Sequence, residues 1–378
     1  MNSAIKYRLY PTSEQKIMFA KTFGCCRKVY NLMLSEKIES YKTTGKFVAV
    51  TPAKYKKDFP YLKEVDSLAL ANVQLNLQSA FRNHFDRNRR KKTGFPKFKS
   101  AKHSRKSYTT NNQNGTVAII DNRYIRLPKI GKVKAVIHRV PGTDWKLRSA
   151  TVSCSSDDRY YVSVLFEYEN SVSAYVADEN NAIGMDYASD GLYVDDKGNI
   201  GTNHKFYRES HKKLAKEQRK LSRKKGSRKG EDKSHNYLKQ QRKVNRIYTH
   251  IANQRKDNLH KISAEIANQY DIVCVENLNM RNMSNRGFGN GKATLDNGYG
   301  MFLDMLEYKL ANRGKYLVKV DKWYPSSQIC HCCGKRHPEM KDLRIRTMRC
   351  ECGYVMDRDR NAAMNIKKEG LRIMNSTA

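Results

Sequence analysis

Apolar and polar residues change their period several times along this chain. Ile5-Lys6-Tyr7-Arg8-Leu9-Tyr10 alternates apolar with basic residues and then meets Pro11, which predicts a strand whose cationic face carries Lys6 and Arg8. Ser13 opens a helical pattern through Phe19, Phe23 and Val29, and a second helix is predicted from Leu68 to Phe85 on Leu70, Val73, Leu77 and Phe81. From Tyr108 to about Glu169 the texture becomes β. Short runs at Val117–Ile120, Tyr124–Leu127, Val133–Ile137 and Tyr160–Leu165 are separated by turn residues such as Asp121-Asn122 and Pro141-Gly142. Strands this short and close predict a small barrel that the N-terminal strand joins across a helical insertion. A separate all-β module is the alternative.

A composition shift at residues 171–181 marks a boundary. Beyond it an apolar strand, Ala182 to Met185, ends on Asp186, and Asp195-Asp196-Lys197-Gly198-Asn199 is a hairpin signal. Lys205 to Lys256 reads as two helices broken around Gly226 to Gly230, with helix continuing through Leu259, Ile262 and Ile266. The apolar strand Ile272–Val275 then ends on Glu276. A Gly/Asn-rich loop, Arg286 to Gly300, precedes a helix over Phe302, Leu303, Leu306 and Leu310, and Tyr316–Val320 is a further strand. No internal repeat is present. The fold class expected from this order is multidomain α/β.

Composition narrows the partners. The 378 residues suffice for two or three domains. Lys and Arg number 73 against 37 Asp and Glu, a formal charge of +36 that repels itself unless a polyanion neutralises it. The charge runs through most of the length rather than one juxtamembrane cluster, so a long nucleic acid is expected and a membrane is not. No apolar run approaches the roughly 20 residues of a membrane helix, and the start lacks the regions of a secretory signal, so a reducing, cytoplasmic setting is expected. Two stretches stand out as nucleic-acid contacts. After the basic run Arg87 to Lys92, Gly94-Phe95-Pro96-Lys97-Phe98-Lys99 interleaves aromatics with Lys97 and Lys99, a mix suited to stacking on bases beside phosphate contacts. Lys205 to Lys256 holds 19 Lys or Arg against four acids, too few to pair with them internally. Lys212, Lys213, Arg223, Lys224 and Lys225 are therefore expected on phosphate, with a merely solvated helix face as the alternative.

Three acids stand where chemistry would want them. Asp186 and Glu276 each close an apolar strand, and Asp359 lies in Asp357-Arg358-Asp359-Arg360-Asn361-Ala362-Ala363, which opens a C-terminal helix. Carboxylates from adjacent strand ends and a helix start suit hard divalent cations such as Mg2+. Two such ions about 4 Å apart activate water and steady the leaving oxygen in phosphodiester cleavage. A single acid at a strand end is more often a solvated cap; three in this order of elements are harder to explain that way. Asp357 and Asp359 compete for the third place. Two residues apart on a helix they face different ways, so Asp359 is favoured and Asp357 is expected as an N-cap. Asp190, Asp195 and Asp196 read as turn acids.

Of nine cysteines, five fall in one short stretch, which reads as metal binding rather than a disulfide framework. Cys330-x-x-Cys333 and Cys350-x-Cys352, with Gly334 and Gly353 after the pairs, fit a four-thiolate Zn2+ site of two knuckles. The second pair is one residue tighter than usual. Cys332 is a spare, His331 and His337 are alternative ligands, and Cys25, Cys26, Cys154 and Cys274 read as ordinary buried thiols.

Taken in order, these segments resemble the TnpB family, transposon-encoded relatives of type V CRISPR effector nucleases. The resemblance spans nearly the whole chain. It rests on Lys6-Tyr7-Arg8-Leu9-Tyr10-Pro11, Gly94 to Lys99, Ile183-Gly184-Met185-Asp186, the basic stretch Leu214 to Lys225, and Val275-Glu276-Asn277-Leu278. Tyr324-Pro325-Ser326-Ser327-Gln328, both cysteine pairs and Asp357 to Ala363 complete it. The resemblance implies an RNase H-like RuvC nuclease core, residues 176–325 and 354–370, with Asp186, Glu276 and Asp359 as ligands of Mg2+ or Mn2+, and an inserted zinc finger at 326–353. It implies an N-terminal wedge-like β-barrel, residues 1–18 and 100–175, carrying a helical recognition insertion at 19–99, and a tail at 371–378. The implied protein is prokaryotic, cytoplasmic and nucleoid-associated. It would hold a guide RNA and pair it with target DNA beside a short flanking motif that the protein reads. It is expected as a monomer in the ribonucleoprotein, with a dimer left open. One departure is Met185-Asp186-Tyr187-Ala188-Ser189-Asp190, where relatives often have Asp-x-Gly; the acid itself is present.

Overall fold

In the computed structural model, residues 2–86, 88, 93–169, 176–202, 204–228, 230–283, 293 and 296–377 are described. The basic run at 87–92 and the Gly/Asn-rich loop fall largely outside them, as do residues 171–175 of the expected boundary. The chain divides into two compact units, residues 1–170 and 171–378.

In the first unit, strand β1 (Asn2–Tyr10) buries Ile5, Tyr7 and Leu9 and leaves Lys6 exposed, as its alternation requires. Helix α1 (Ser13–Thr44) starts at a capping box in which Thr12 and Gln15 satisfy each other's backbone N–H groups, and it stops at Gly45, whose φ of 70° is left-handed. The apolar pattern foretold this helix only to Val29, but Tyr30, Met33 and Leu34 keep it packed for another turn and a polar extension follows. Helix α2 (Ser67–Phe85) is capped by Asp66, which accepts from Leu68 N at 3.0 Å. Six further strands follow: β2 (Lys106–Asn111), β3 (Ala118–Ile120), β4 (Tyr124–Leu127), β5 (Gly131–Val136), β6 (Lys146–Cys154) and β7 (Tyr160–Glu167). They form one antiparallel seven-stranded sheet, order β2-β6-β7-β1-β5-β4-β3. The N-terminal strand is thus central, paired to β7 and β5, with the helices inserted between it and the rest.

The second unit is built on β8 (Ala182–Tyr187), β9 (Tyr193–Asp195), β10 (Ile272–Glu276) and β11 (Tyr316–Val320), in the order β11-β10-β8-β9. β8, β10 and β11 are parallel, β9 returns antiparallel to β8 after residues 188–192, and the expected hairpin turn at Asp195 to Asn199 follows β9, closing on an antiparallel bridge between Val194 and Ile200. The basic segment forms α3 (Phe206–Ser222) and α4 (His235–Gln269), broken where the glycines predicted. A short α5 (Met280–Met283) and then α6 (Tyr299–Ala311) follow β10. A small hairpin of β12 (Thr347–Arg349) and β13 (Val355–Asp357) leads into α7 (Arg358–Thr377). Residues 371–377, expected as a tail, continue this helix, because Leu371, Ile373 and Met374 pack on the small apolar cluster beneath it. No helix among the described residues is long and apolar enough to cross a membrane.

Candidate active site and thiolate cluster

The two-residue period of a strand decides which face each acid takes. Ile183 and Met185 on β8, with Val273 and Val275 on β10, belong to the core shared with α4 and α6. Ala182, Ile272 and Cys274 belong to the cluster under α7. Asp186 and Glu276 continue that second series and share the face α7 covers. The parallel register pairs Met185 with Val275, so the two acids stand side by side at adjacent strand ends.

Helix α7 brings the third acid. A Cβ at Gly184 would lie 2.1 Å from the Ala363 carbonyl oxygen, and one at Gly370 would lie 2.4 Å from Cys274 Sγ. Only glycine lets the helix backbone press this closely on β8 and β10. Asp359, in the first turn, is thereby carried to the end of the sheet where Asp186 and Glu276 stand. Asp357 is the helix cap: its Oδ1 accepts from Asp359 N at 2.9 Å and Arg360 N at 3.0 Å.

The electrostatics of the three acids are linked. Asp186 keeps some exposed surface, yet the protein around its carboxyl excludes enough water to push its pKa well above the ordinary value, and the negative charges of Glu276 and Asp359 push it further. Glu276 is also pushed up by burial, against the Ser326 hydroxyl, which donates to its Oε1 at 2.6 Å. Asp359 is paired with Arg346, whose Nη2 donates at 2.8 Å. This ion pair holds the third carboxyl toward the cysteine-bearing segment. Among the described residues, the only three or more metal-ligating side chains with ligand atoms all within 4.8 Å of one another are the four cysteines. The acids are close enough to repel but are not drawn tight. Three half-buried carboxylates at one end of the sheet, two of which raise the pKa of the third, are a donor set that fits a hard divalent cation.

The thiolate cluster is tighter. Cys330, Cys333, Cys350 and Cys352 come together, with Sγ–Sγ separations of 3.7 Å for Cys330–Cys352 and 3.5 Å for Cys333–Cys350. Four 2.3 Å zinc–sulfur bonds at tetrahedral angles put sulfurs about 3.8 Å apart, so the set fits zinc. Gly334 and Gly353, with φ of 80° and 86°, close the two knuckles by donating to the carbonyls of Cys330 and Cys350. The Cys350 thiol is pulled down to about 6, first by the backbone N–H of Cys352 and then by His337 and Cys333. Cys332 is exposed and outside the cluster. Of the alternative ligands, His331 turns to Asn365 at 3.1 Å and His337 pairs through Nδ1 with Glu339 at 3.0 Å.

Several residues of this region escaped the sequence reading. Asn361 and Asn365 are buried on α7 and donate to the Ile329 carbonyl at 2.8 and 2.7 Å, tying the first cysteine knuckle to the helix that carries Asp359. Asn297 donates to the carbonyls of Ala188, Ser189 and Gly191, fixing the loop after Asp186. Ser326 and Asn361 lie inside quoted motifs, which was a signal; Asn297, Asn365 and Arg346 had none, since their partners lie elsewhere in the chain.

The candidate nucleic-acid residues are placed as follows. Lys212, Lys213, Arg223, Lys224 and Lys225 are exposed on and just after α3, and Lys212, Lys216, Arg219, Lys220 and Arg223 line one open groove along it. In the first unit Lys97 is exposed, while Lys99 is engaged: Asn31 on α1 clamps its backbone and its ammonium sits 3.9 Å over the Tyr30 ring. Lys6 and Arg8 both stack on Tyr161 across the sheet, at 4.4 and 5.0 Å.

Comparison with known proteins matches three family models: "Helix-turn-helix domain" over residues 1–46, "Probable transposase" over 165–287 and "Cas12f1-like, TNB domain" over 299–366. The first segment forms β1 and α1 here. A "Putative RNA-guided DNA endonuclease" of Streptomyces pristinaespiralis is 34% identical, covering 97% of this chain and 89% of that protein. "Putative RNA-guided DNA endonuclease InsQ" of Escherichia coli K12 is 29% identical over 98% and 93%. Among solved structures, the Cas12f1 chain of a Cas12f1-sgRNA-target DNA complex shares the fold, with a TM-score of 0.61 over 97% of this chain and 98% of that one at 15% identity.

Proposed function

This chain belongs to the TnpB family, and from that premise we propose that it is an RNA-guided DNA endonuclease cutting with Asp186, Glu276 and Asp359. The observation that carries the proposal is the meeting of three remote carboxylates whose charges bear on one another: Asp186 is pushed up by both Glu276 and Asp359. That repulsion is costly unless a cation offsets it, and Mg2+ or Mn2+ is the class that takes oxygen ligands of this kind. When bound, such ions supply an activated water and charge neutralisation at the leaving oxygen of a phosphodiester. The chain's own part is to hold the oxygens in place. Ser326 orients Glu276, Asp357 fixes the start of α7, and the Gly184 contact sets its height over the sheet. Arg346 holds Oδ2 of Asp359, which leaves Oδ1 to ligate.

The four cysteines are read as a zinc finger that orders a segment too small to hold itself. Its place beside α7 suits it to guide a DNA strand toward the acids. The nuclease core is read as residues 176–325 and 354–370, the finger as 326–353. Residues 1–18 and 100–175 form a wedge-like domain, with 19–99 inserted, that grips the guide and reads the flanking motif. Exposed basic residues on α3 take backbone phosphate. The Cas12f1 chain that shares the fold stands in a complex with sgRNA and target DNA, and the charge of +36 asks for partners of that kind.

The decisive experiment is Asp186→Ala in the purified ribonucleoprotein, assayed on DNA matched to the copurified RNA. Cleavage should fall by about 10³-fold or more while RNA and DNA binding stay unchanged, as expected when a group acts only in the chemical step. Cleavage at the wild-type rate would sink the assignment. RNase treatment before assembly should abolish cutting; unchanged cutting would point instead to a structure-selective nuclease that needs no guide.

A further inference from the structure

Tyr299 opens α6, and its side chain is 1% exposed. Its hydroxyl oxygen is fully buried and makes no hydrogen bond among the described residues. A buried hydroxyl without a partner is uncommon, and it calls for a ligand, a water or a role. The surroundings favour one of these. The ring is held on two sides, edge-on to Tyr187 at 4.9 Å and tilted against Phe302 at 5.9 Å, so the hydroxyl cannot swing away. Tyr187 directly follows Asp186, and Asn297, two residues before Tyr299, clamps the loop that leaves Asp186. The first turn of α6 is therefore locked to the strand end that carries the acid. Burial first, and then the negative charges of Asp186 and Glu276, push the phenol's pKa up and keep it protonated. It can act there as a hydrogen-bond donor.

The two carboxylates differ in their own support. Glu276 has a side-chain donor, Ser326. Asp186 has the backbone N–H of Tyr187 and no side-chain donor among the described residues. Resting on the nuclease reading above, we propose that Tyr299 is a positioning residue. Its hydroxyl donates a hydrogen bond into the oxygen shell that Asp186 and Glu276 build around a divalent cation, doing for Asp186 what Ser326 does for Glu276.

Tyr299→Phe tests this without disturbing the packed ring. Mn2+ binding to the RNA-free full chain is measured by calorimetry, with Asp186→Ala as the background, beside melting in chelator and cleavage by the ribonucleoprotein. Loss of an outer-shell partner weakens metal binding or activity by about 10-fold or more. The expected result is therefore about a 10-fold weaker Mn2+ affinity and a matching rise in the Mn2+ needed for half-maximal cleavage. The chelated variant should melt at the wild-type temperature or above it, because it has lost an unsatisfied hydroxyl. A purely structural tyrosine predicts the reverse: a lower melting temperature with unchanged Mn2+ affinity. That outcome, or unchanged affinity and unchanged melting, overturns the inference. If Asp186→Ala itself leaves cleavage intact, the nuclease reading fails instead, and the two failures are told apart.

Discussion

A carboxylate set among other carboxylates is held there against its own preference, and Asp186 shows it. Its pKa is raised by burial and then by Glu276 and Asp359, so the folded chain keeps a proton that the unfolded chain gives up near pH 3.9. From that pH upward through the raised folded value, the unfolded state binds fewer protons than the folded one, and stability falls as pH rises. Asp186→Asn, close in shape, has no such proton. In chelator the variant and the wild type should differ least near pH 4. They should separate as pH climbs, with the wild type the less stable by at most about 1.4 kcal/mol per pH unit. Melting curves that keep a constant gap from about pH 4 to pH 8 would show that the carboxyl is not held up at all. The same variant should not cleave, so residue and function pull in opposite directions at this position. Asp186 and Glu276 stood out in the sequence because each ends an apolar run, and Asp359 because it opens the last helix. Which side chain pairs with which was not legible, even for Ser326 inside its motif: Ser326 is 50 residues from Glu276 and Arg346 is 13 from Asp359.

At the scale of elements, the site depends on how closely α7 lies on the sheet. Gly184 stands under Ala363 and Lys367 with no room for a methyl group. The clash is with backbone, which cannot swing aside, so Gly184→Ala should lift the helix or bend β8. Overpacking costs about 1 to 3 kcal/mol, and a clash with backbone falls toward the upper end. Denaturant unfolding should register that loss, and cleavage should fall with it because Asp359 moves with the helix. Gly24→Ala is the control: a Cβ there meets nothing within 4 Å. If Gly184→Ala matched the control in both stability and cleavage, the close approach would not be what positions Asp359. Strands and helices with a clean period were readable in advance, including the hairpin at Asp195 to Asn199 and the break before α4. Strands β2 and β6 were not. Lys106–Asn111 and Lys146–Cys154 are rich in Lys, Ser and Thr, and they become strands because β7 and its neighbours supply partners on which Tyr108, Ala150 and Val152 are buried. A local reading of period cannot see a partner.

For the whole molecule the governing quantity is charge. An excess of +36 over 378 residues is stable to assembly only beside a polyanion. One place where that excess is organised is α3. Lys212, Lys216, Arg219, Lys220 and Arg223 recur every three or four residues along one side, opposite the buried Leu214, and line a common groove. Gln240 on α4 donates to Glu217 at 2.8 Å, and Gln218 donates to Tyr248 at 2.8 Å, so polar pairs rather than the basic stripe fasten α3 to α4. Lys220 pairs with Glu217 at 2.9 Å, while Lys212, Lys216, Arg219 and Arg223 have no ion pair among the described residues and are left to meet phosphate. Replacing Lys212, Lys216 and Arg219 with Gln should then weaken binding about equally for all guide and target sequences. The slope of log affinity against log salt should fall by about 2 to 3, since each phosphate contact contributes close to one unit on duplex and less on single strands. Melting should barely change, because exposed side chains with no ion pair among the described residues are being replaced. A wild-type slope in the triple variant would mean that the stripe is only solvated, and the nucleic acid must then be held by other basic surfaces of the chain. A sequence-dependent loss would mean that these residues read bases, which long, flexible cations spaced along a helix face are poorly shaped to do.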